Sequence, residues 1–351
     1  MIQRYVKIVS IALLLFLGSI NNAFAARVIT DQLGRKVTIP DEVNRVVVLQ
    51  HQTLNLLAQL DAKESVVGVL SSWKKQLGKN YSRFMPELET MPQPGDLTQV
   101  NIESLLALKP QLVFVANYAP KEMIEQIEQA GVPVVAISLR EDKKGEEGKV
   151  NPEMEDEEVA YNNGLKQGTY LIGEVVNRQA QAKKLVTYTF EQRELVSQRL
   201  SKVPDEQRVR VYIANPDLAT YGSGKYTGLM MLHAGAKNVA AETIKGFKQV
   251  SIEQVIHWNP AVIFVQERYP QLIEQIKKDP SWQIIDAVKN QRIYLMPEYA
   301  KAWGYPMPEA LAIGELWLAK QLYPELFADV DLEEEKVNQY YKLFYRMPYN
   351  Q

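Results

Sequence analysis

Short apolar runs rich in β-branched residues alternate along the chain with amphipathic segments. Runs of this length predict buried parallel strands, and the segments between them predict helices that cross over a sheet. The predicted strands cover residues 45–50, 65–70, 111–116, 133–139, 208–215, 261–266 and 292–297. Ahead of them, residues 27–40 alternate on both sides of a turn at residues 31–34, which predicts a β-hairpin. Strands and helices in this order are typical of open α/β sheets.

One pattern occurs twice, 150 residues apart. "VNIESLLALKPQLVFV" at residues 100–115 and "VSIEQVIHWNPAVIFV" at residues 250–265 are identical at six of sixteen positions. In each copy Asn101 or Ser251 can accept a hydrogen bond from an N–H of the first helical turn, a proline ends the short helix, and a buried strand follows. The period is too long for a solenoid, so the repeat predicts two similar α/β lobes.

The segment between the two copies predicts how the lobes are joined. Residues 178–202 contain neither glycine nor proline, and a helix of that length extends about 37 Å. We predict an α/β protein with two Rossmann-like lobes, mainly parallel sheets, one long connecting α-helix and a ligand cleft between the lobes. The predicted boundaries are 26–176 for the N-terminal lobe, 177–203 for the connecting helix and 204–351 for the C-terminal lobe. Residues 140–158 are highly charged and predict a solvated loop.

The N-terminus predicts export. Arg4 and Lys7 precede an apolar run, and Ala23-Phe24-Ala25 follows it, which together indicate a cleavable signal peptide over residues 1–25. An uncleaved membrane anchor is the alternative, but the apolar run is short for a membrane span. The chain has no cysteine, which excludes disulfides and a lipid-modified cysteine after the signal. We therefore expect a soluble protein in a bacterial periplasm.

Composition narrows the functional classes. The formal net charge is −2 and no basic block stands out, so binding to nucleic acid is not expected. The three histidines are scattered and no H-E-x-x-H occurs, so no zinc site and no directly bound metal is expected. No G-x-S-x-G motif or Ser/His/acid arrangement suggests an enzyme, and no cofactor is expected. His233 lies inside a predicted apolar helix and is expected to be buried in packing.

Candidate ligand contacts lie where predicted strands end, because ligands of open α/β sheets bind beyond the carboxyl ends of the strands. The segment "TLNLLAQLDA" at residues 53–62 predicts a helix after the first strand, with Thr53 as its cap. The candidates outside the glycine-rich loop are His51, Gln52, Thr53, Tyr118, Arg268 and Trp303.

The loop "YGSGKYTG" at residues 221–228 is the most distinctive candidate. Glycines let a backbone approach a ligand closely, and free N–H groups before a helix suit an oxyanion. The candidate residues are Gly222, Ser223, Gly224, Lys225, Tyr226 and Thr227. A plain glycine-rich turn is the alternative, while a nucleotide P-loop is a poorer match because Ala219 and Tyr226 depart from its pattern.

The glutamates of the repeat, Glu103 and Glu253, occupy equivalent places at two helix starts. An acid there interacts favourably with the helix dipole, which explains each glutamate singly but not their occurrence as a pair.

With these marks, including "DQLGRKVTIP" and the long helix, the mature chain resembles class III periplasmic substrate-binding proteins of ABC importers. Members of that family carry ferric siderophores, haem, vitamin B12 and some oxyanions. The resemblance implies that Glu103 and Glu253 dock on an inner-membrane permease dimer. It also implies a monomer that works without a cofactor.

Within the family, the chain is most similar to the member that binds molybdate and tungstate, so a small oxyanion is the expected ligand. A ferric-siderophore, haem or vitamin B12 carrier stays open, because Arg268 and Trp303 also suit a wide aromatic cleft. An enzyme on this scaffold would resemble the nitrogenase-like relatives, whose clusters need cysteines that this chain lacks.

Overall fold

The computed structural model describes residues 25–350. The predicted hairpin is confirmed, with β1 (Ala26–Thr30) antiparallel to β2 (Lys36–Pro40). The Asp31 carboxylate accepts from the backbone N–H of Arg35 at 3.0 Å and from that of Ala136 at 3.1 Å, which ties the turn to the first sheet.

The N-terminal sheet has four parallel strands in the order β4-β3-β7-β8. A two-stranded ribbon of β5 and β6 lies beside it. The strands are β3 (Val46–Val48), β4 (Val66–Val69), β5 (Gly95–Asp96), β6 (Gln99–Val100), β7 (Leu112–Ala116) and β8 (Val134–Ile137). Nearly every side chain of the four parallel strands is buried, as expected for a parallel sheet covered on both faces.

The C-terminal sheet repeats this topology. Its parallel strands run in the order β11-β9-β13-β14, and β10 pairs with β12 in a separate antiparallel ribbon. The strands are β9 (Val209–Ala214), β10 (Ala219–Tyr221), β11 (Ala236–Asn238), β12 (Phe247–Gln249), β13 (Val262–Val265) and β14 (Ile293–Leu295). In each parallel sheet, the strand that comes first in the chain (β3 or β9) lies between the strands that come second and third (β4 and β7, or β11 and β13). The sequence repeat is therefore also a repeat of sheet order.

Helices cover both sheets and connect the lobes. They are α1 (His51–Gln59), α2 (Trp73–Leu77), α3 (Ile102–Ala107), α4 (Lys121–Gln129), α5 (Glu157–Val175), α6 (Gln179–Leu200), α7 (Tyr226–His233), α8 (Ile252–Trp258), α9 (Gln271–Lys278), α10 (Asp286–Lys289), α11 (Glu315–Leu322) and α12 (Gln339–Phe344). Wider π-type turns at Ala310–Gly314 and Leu332–Asn338 lead into the last two. In the described part of the chain, every helix is too short or too polar to cross a membrane.

The caps of the repeated helices are confirmed. Asn101 accepts from the backbone N–H of Ser104 at 2.8 Å, and Ser251 accepts from that of Gln254 at 3.1 Å. The prediction that Thr53 caps the helix after the first strand of the sheet is wrong. Helix α1 already begins at His51, and the Thr53 hydroxyl turns back to the Gln50 side chain.

The long helix is confirmed as α6, whose 22 residues span about 33 Å. Helix α5 packs along it, and buried residues of both helices join the apolar core that includes strands of both lobes.

The C-terminal segment returns to the N-terminal lobe. The Tyr340 hydroxyl donates to Gln59 Oε1 at 2.5 Å, and the Tyr345 hydroxyl lies 2.6 Å from Asn55 Oδ1. These buried bonds fix helix α1 against the end of the chain. The predicted fold class is thus confirmed, whereas the residue-by-residue domain boundaries stay a prediction, and most of the predicted signal peptide lies outside the described residues.

Candidate functional site

A cluster of polar side chains, most of them buried, lies between the lobes where strands of both sheets end, and we call this cluster the chamber. From the N-terminal lobe it is lined by His51 and Gln52 after β3, by Asn117 after β7 and by Arg140 shortly after β8. From the C-terminal lobe come Lys225, Arg268, Trp303 and Tyr305. The rings of His51 and Trp303 meet edge to face, with centroids 5.1 Å apart, and so join the two lobes directly. Most of these side chains are buried, and Lys225 is only 4% exposed.

Several buried polar atoms of this chamber lack hydrogen-bond partners among residues 25–350. They are His51 Nδ1, Gln52 Oε1, Asn117 Oδ1, Arg140 Nη1, Arg268 Nε and Trp303 Nε1. Buried polar groups in native proteins are nearly always paired, so a concentration of unpaired ones indicates a polar ligand. Arginine and indole nitrogens only donate, and side-chain amides can present either end, which suits a ligand made of acceptor oxygens.

Arg140 and Lys225 place positive charge inside the chamber. Arg140 pairs with the buried carboxylate of Asp142 and lies 5.8 Å from the Tyr305 ring centre. The Lys225 ammonium lies 5.4 Å from the same ring centre. Burial and the nearby Arg140 lower the pKa of Lys225 to about 8. Arg140 has Asp142 as its counter-ion, whereas Lys225 forms no ion pair among residues 25–350, so a nearby anion would lower the free energy of the Lys225 charge.

Lys301 is a third buried cation, and the sequence reading missed it. It is fully buried, with its ammonium 4.7 Å from the Trp303 ring centre and 3.5 Å from Glu309 Oε1. Glu309 is buried too and accepts from Asn55 and Gln59 of helix α1. A lysine inside the mostly apolar run "YAKAWGY" was the signal that could have found it.

Two titratable groups respond to these cations. Burial, followed by the charges of Arg268 and Lys301, lowers the pKa of His51 to about 3, so its imidazole is neutral at physiological pH. Burial raises the pKa of Glu267 to about 7, although the same two cations oppose the rise. Neither carboxylate oxygen of Glu267 has a hydrogen-bond donor among the described residues.

Three backbone N–H groups of the glycine-rich loop donate to carbonyls within the C-terminal lobe. Gly222 donates to Gly246 O at 2.9 Å, Ser223 to Ile244 O at 2.9 Å and Tyr226 to Gly304 O at 3.1 Å. A Cβ on Gly222 would lie 1.7 Å from the carbonyl oxygen of Ile244, so close packing against that segment requires this glycine. The alternative of a glycine-rich turn accounts for these contacts.

Tyr226 and Thr227 of the loop use their hydroxyl groups in bonds within the C-terminal lobe. The Tyr226 hydroxyl donates to Glu315 Oε1 at 3.0 Å, and Thr227 Oγ1 accepts from Gly304 N at 2.9 Å. Gly224 has a φ of +80°, a conformation that favours glycine. Lys225 is therefore the loop residue whose side chain lies in the chamber, beside Tyr305.

Three other expectations can be compared with the structure. Tyr118 is half-buried beside the chamber, and burial together with the nearby Tyr305 raises its pKa. Glu103 and Glu253 are both exposed in the first turns of equivalent helices. His233 is largely buried, as expected, with 13% of its side chain exposed, but its imidazole lies 2.9 Å from Glu315 Oε1 among charged side chains instead of in apolar packing.

Metal ligands are not grouped in this region: among residues 25–350 no cluster of three or more His, Asp or Glu side chains could hold a metal ion.

Comparison with known proteins identifies the family. The family described as periplasmic binding protein matches residues 46–300, which is most of the chain. The chain belongs to the periplasmic binding protein family. The molybdate-binding protein MolA of Haemophilus influenzae is 63% identical over 344 residues, covering 98% of each chain. A solved structure of MolA from that organism, bound to molybdate, has a TM-score of 0.90 and 65% identity, and covers 92% of this chain and 99% of its own.

More distant members carry other ligands. The Fe(3+) dicitrate-binding periplasmic protein FecB of Escherichia coli is 23% identical and covers 78% of this chain and 83% of its own length. Membership of the family agrees with a periplasmic location. The roles of individual chamber residues and of the two exposed glutamates stay predictions.

Proposed function

We propose that this periplasmic binding protein is the soluble component of an ABC importer, that it binds molybdate or tungstate in the chamber between its lobes, and that it is not an enzyme. Most of the chain resembles a molybdate-binding protein at 63% identity. The observation that carries the proposal is the set of unpaired buried donors beside Arg140, Lys225 and Trp303.

The chemistry of the chamber fits a tetrahedral dianion. Its oxygens accept hydrogen bonds and carry no proton to donate near neutral pH, so they match a lining rich in N–H donors. Arg140 and Lys225 supply positive charge. The Trp303 Nε1–H group is a neutral donor, so it orients the anion without adding another cation that would repel these two. These side chains add cationic donors to those expected from the glycine-rich loop, whose part in ligand binding stays a prediction.

Transport requires a partner beyond the ligand. We propose that the mature protein, after removal of residues 1–25, acts as a monomer and docks on a permease dimer through Glu103 and Glu253. Their exposure and their equivalent places in the two lobes support this role.

Calorimetry with molybdate, tungstate, sulfate and ferric dicitrate tests the ligand. We expect heat with molybdate and tungstate, and a loss of about tenfold in affinity for Trp303→Phe, the effect of one missing hydrogen bond to an anion. Trp317→Phe is the matched control, because Trp317 packs 5.7 Å from the Phe264 ring centre in the C-terminal core. Tight binding of the ferric chelate without any molybdate heat would instead support a siderophore carrier.

A further inference from the structure

A charged loop, residues 141–156, joins Arg140 to helix α5 and is bonded to side chains of both lobes. The sequence predicted only a solvated loop here. Its backbone, however, is held from both lobes by side chains that line the chamber. We call these sixteen residues the lid.

Three chamber side chains hold three lid carbonyls. From the N-terminal lobe, the Asn117 amide donates to Glu147 O at 2.7 Å, and Arg140 Nη2 donates to Lys149 O at 2.9 Å. From the C-terminal lobe, the Lys225 ammonium donates to Val150 O. The lid is thus a bridge between the lobes over the site.

Contacts of the lid backbone and internal bonds keep it in place. A Cβ on Gly148 would lie 3.6 Å from the carbonyl oxygen of Asn117, and one on Gly246 of the C-terminal lobe would lie 2.6 Å from Asn151 Oδ1. Within the lid, the Glu146 carboxylate accepts from Glu153 N at 3.0 Å and from the Lys149 ammonium at 2.5 Å. This brace makes residues 146–153 compact.

Two of these side chains keep another polar atom unpaired within the described part of the chain. Arg140 uses Nη2 for the lid while Nη1 has no acceptor among residues 25–350, and Asn117 uses Nδ2 while Oδ1 has no donor there. An anion that engages Arg140 also fixes the rotamer that holds Lys149. Order in the lid and occupancy of the chamber are therefore coupled, because both depend on the same rotamers.

We propose that residues 141–156 form a lid whose closure is linked to anion binding and which limits the cleft to small ligands. The proposal rests on the proposed oxyanion function and adds the determinant of ligand size. A large organic chelate would have to displace the Glu147, Lys149 and Val150 carbonyls from their donors. A small anion beside Arg140 and Lys225 would leave these bonds in place, and the lid would then separate this protein from relatives named for ferric dicitrate or cobalamin.

Hydrogen exchange on the unmodified protein tests the coupling. With saturating molybdate, exchange of peptides covering residues 141–156 should slow about tenfold or more, as closure removes local opening. Peptides from helix α9 (Gln271–Lys278), an amphipathic helix of the C-terminal lobe, should not change and serve as the internal control.

A shortened lid tests the size limit. In a variant with residues 144–151 replaced by Gly-Ser-Gly, molybdate affinity should fall about tenfold or more, through looser Arg140 and Lys225 side chains. Ferric dicitrate, rejected by the parent, should then quench tryptophan fluorescence on binding. Lys144→Ala is the control, because this exposed lid lysine should leave both affinities unchanged.

The outcomes separate the two proposals. If the parent binds molybdate but lid exchange is the same with and without it, and the shortened variant keeps parent affinity and still rejects the chelate, the lid proposal is overturned and the oxyanion function stands. If the parent gives no molybdate heat, the function fails and the lid proposal with it. The exchange result decides the question should the shortened variant not fold.

Discussion

Replacing Glu309 by Gln should destabilise the protein by removing the counter-ion of a buried lysine. The carboxylate accepts from Asn55 Nδ2 at 2.6 Å and Gln59 Nε2 at 2.8 Å, and the Tyr345 hydroxyl lies 2.9 Å away. Lys301 Nζ is 3.5 Å from the same carboxylate. Glutamine keeps the shape but leaves the ammonium buried without a negative charge, and its NH₂ group meets donors from helix α1 or from Lys301.

The magnitude follows from burial, since both side chains are almost completely excluded from solvent. Breaking a buried ion pair from one side costs about 3–5 kcal/mol in the free energy of unfolding. For a chain of this size that corresponds to a fall in Tm of roughly 4–7 °C. Combining Glu309→Gln with Lys301→Met removes both charges, so the double variant should be more stable than Glu309→Gln alone.

Urea unfolding followed by tryptophan fluorescence measures these differences, provided that the m-value stays constant across the variants. Glu103→Gln, an exposed glutamate in a first helical turn, is the control and should change stability by less than about 0.5 kcal/mol. The reasoning is refuted if Glu309→Gln unfolds within about 1 kcal/mol of the parent, or if Lys301→Met does not rescue it.

Three other predictions follow from the charges of the two lobes. The double variant Glu103→Ala/Glu253→Ala should keep its molybdate affinity but lose uptake by whole cells, since exposed charges govern docking more than folding. If uptake is normal, the two glutamates have no docking role and only stabilise their helix ends. Because the pKa of His51 is lowered to about 3, the unfolded chain binds a proton below pH 6.5 that the folded chain does not. The free energy of unfolding should therefore decrease as the pH is lowered, by about 2 kcal/mol at pH 5 from this residue. Denaturant titrations at several pH values should show that the free energy of unfolding of His51→Gln depends less on pH than that of the parent. Because the pKa of Glu267 is raised to about 7, its neutral form below that pH favours a dianion. Calorimetry should find parent affinity several-fold higher at about pH 6 than at about pH 8, and a smaller change for Glu267→Gln. An equal change of affinity with pH in both proteins would show that the protonation of Glu267 does not affect ligand binding. Lys225 also loses its proton near pH 8, but it does so in both proteins, so its contribution cancels in the comparison.

Local pattern was sufficient to predict the elements of this fold. The strands, the hairpin, the long helix and the caps at Asn101 and Ser251 depend on periodicity and on bonds within a few residues, which the sequence shows directly. The repeat added the lobe topology, because two similar segments fold into the same sheet order. Family resemblance added the ligand class, which no local pattern supplied.

Only the tertiary structure decided which polar groups face the chamber. The N–H groups of Gly222, Ser223 and Tyr226 are available in the sequence, but segments near residues 244–246 and 304 supply carbonyls that use them. Conversely, the burial of Lys301 depends on Glu309 and helix α1, about 250 positions earlier in the chain. The burial and pairing of a side chain depend on segments distant in sequence, and these pairings leave no signal in the residues adjacent to it.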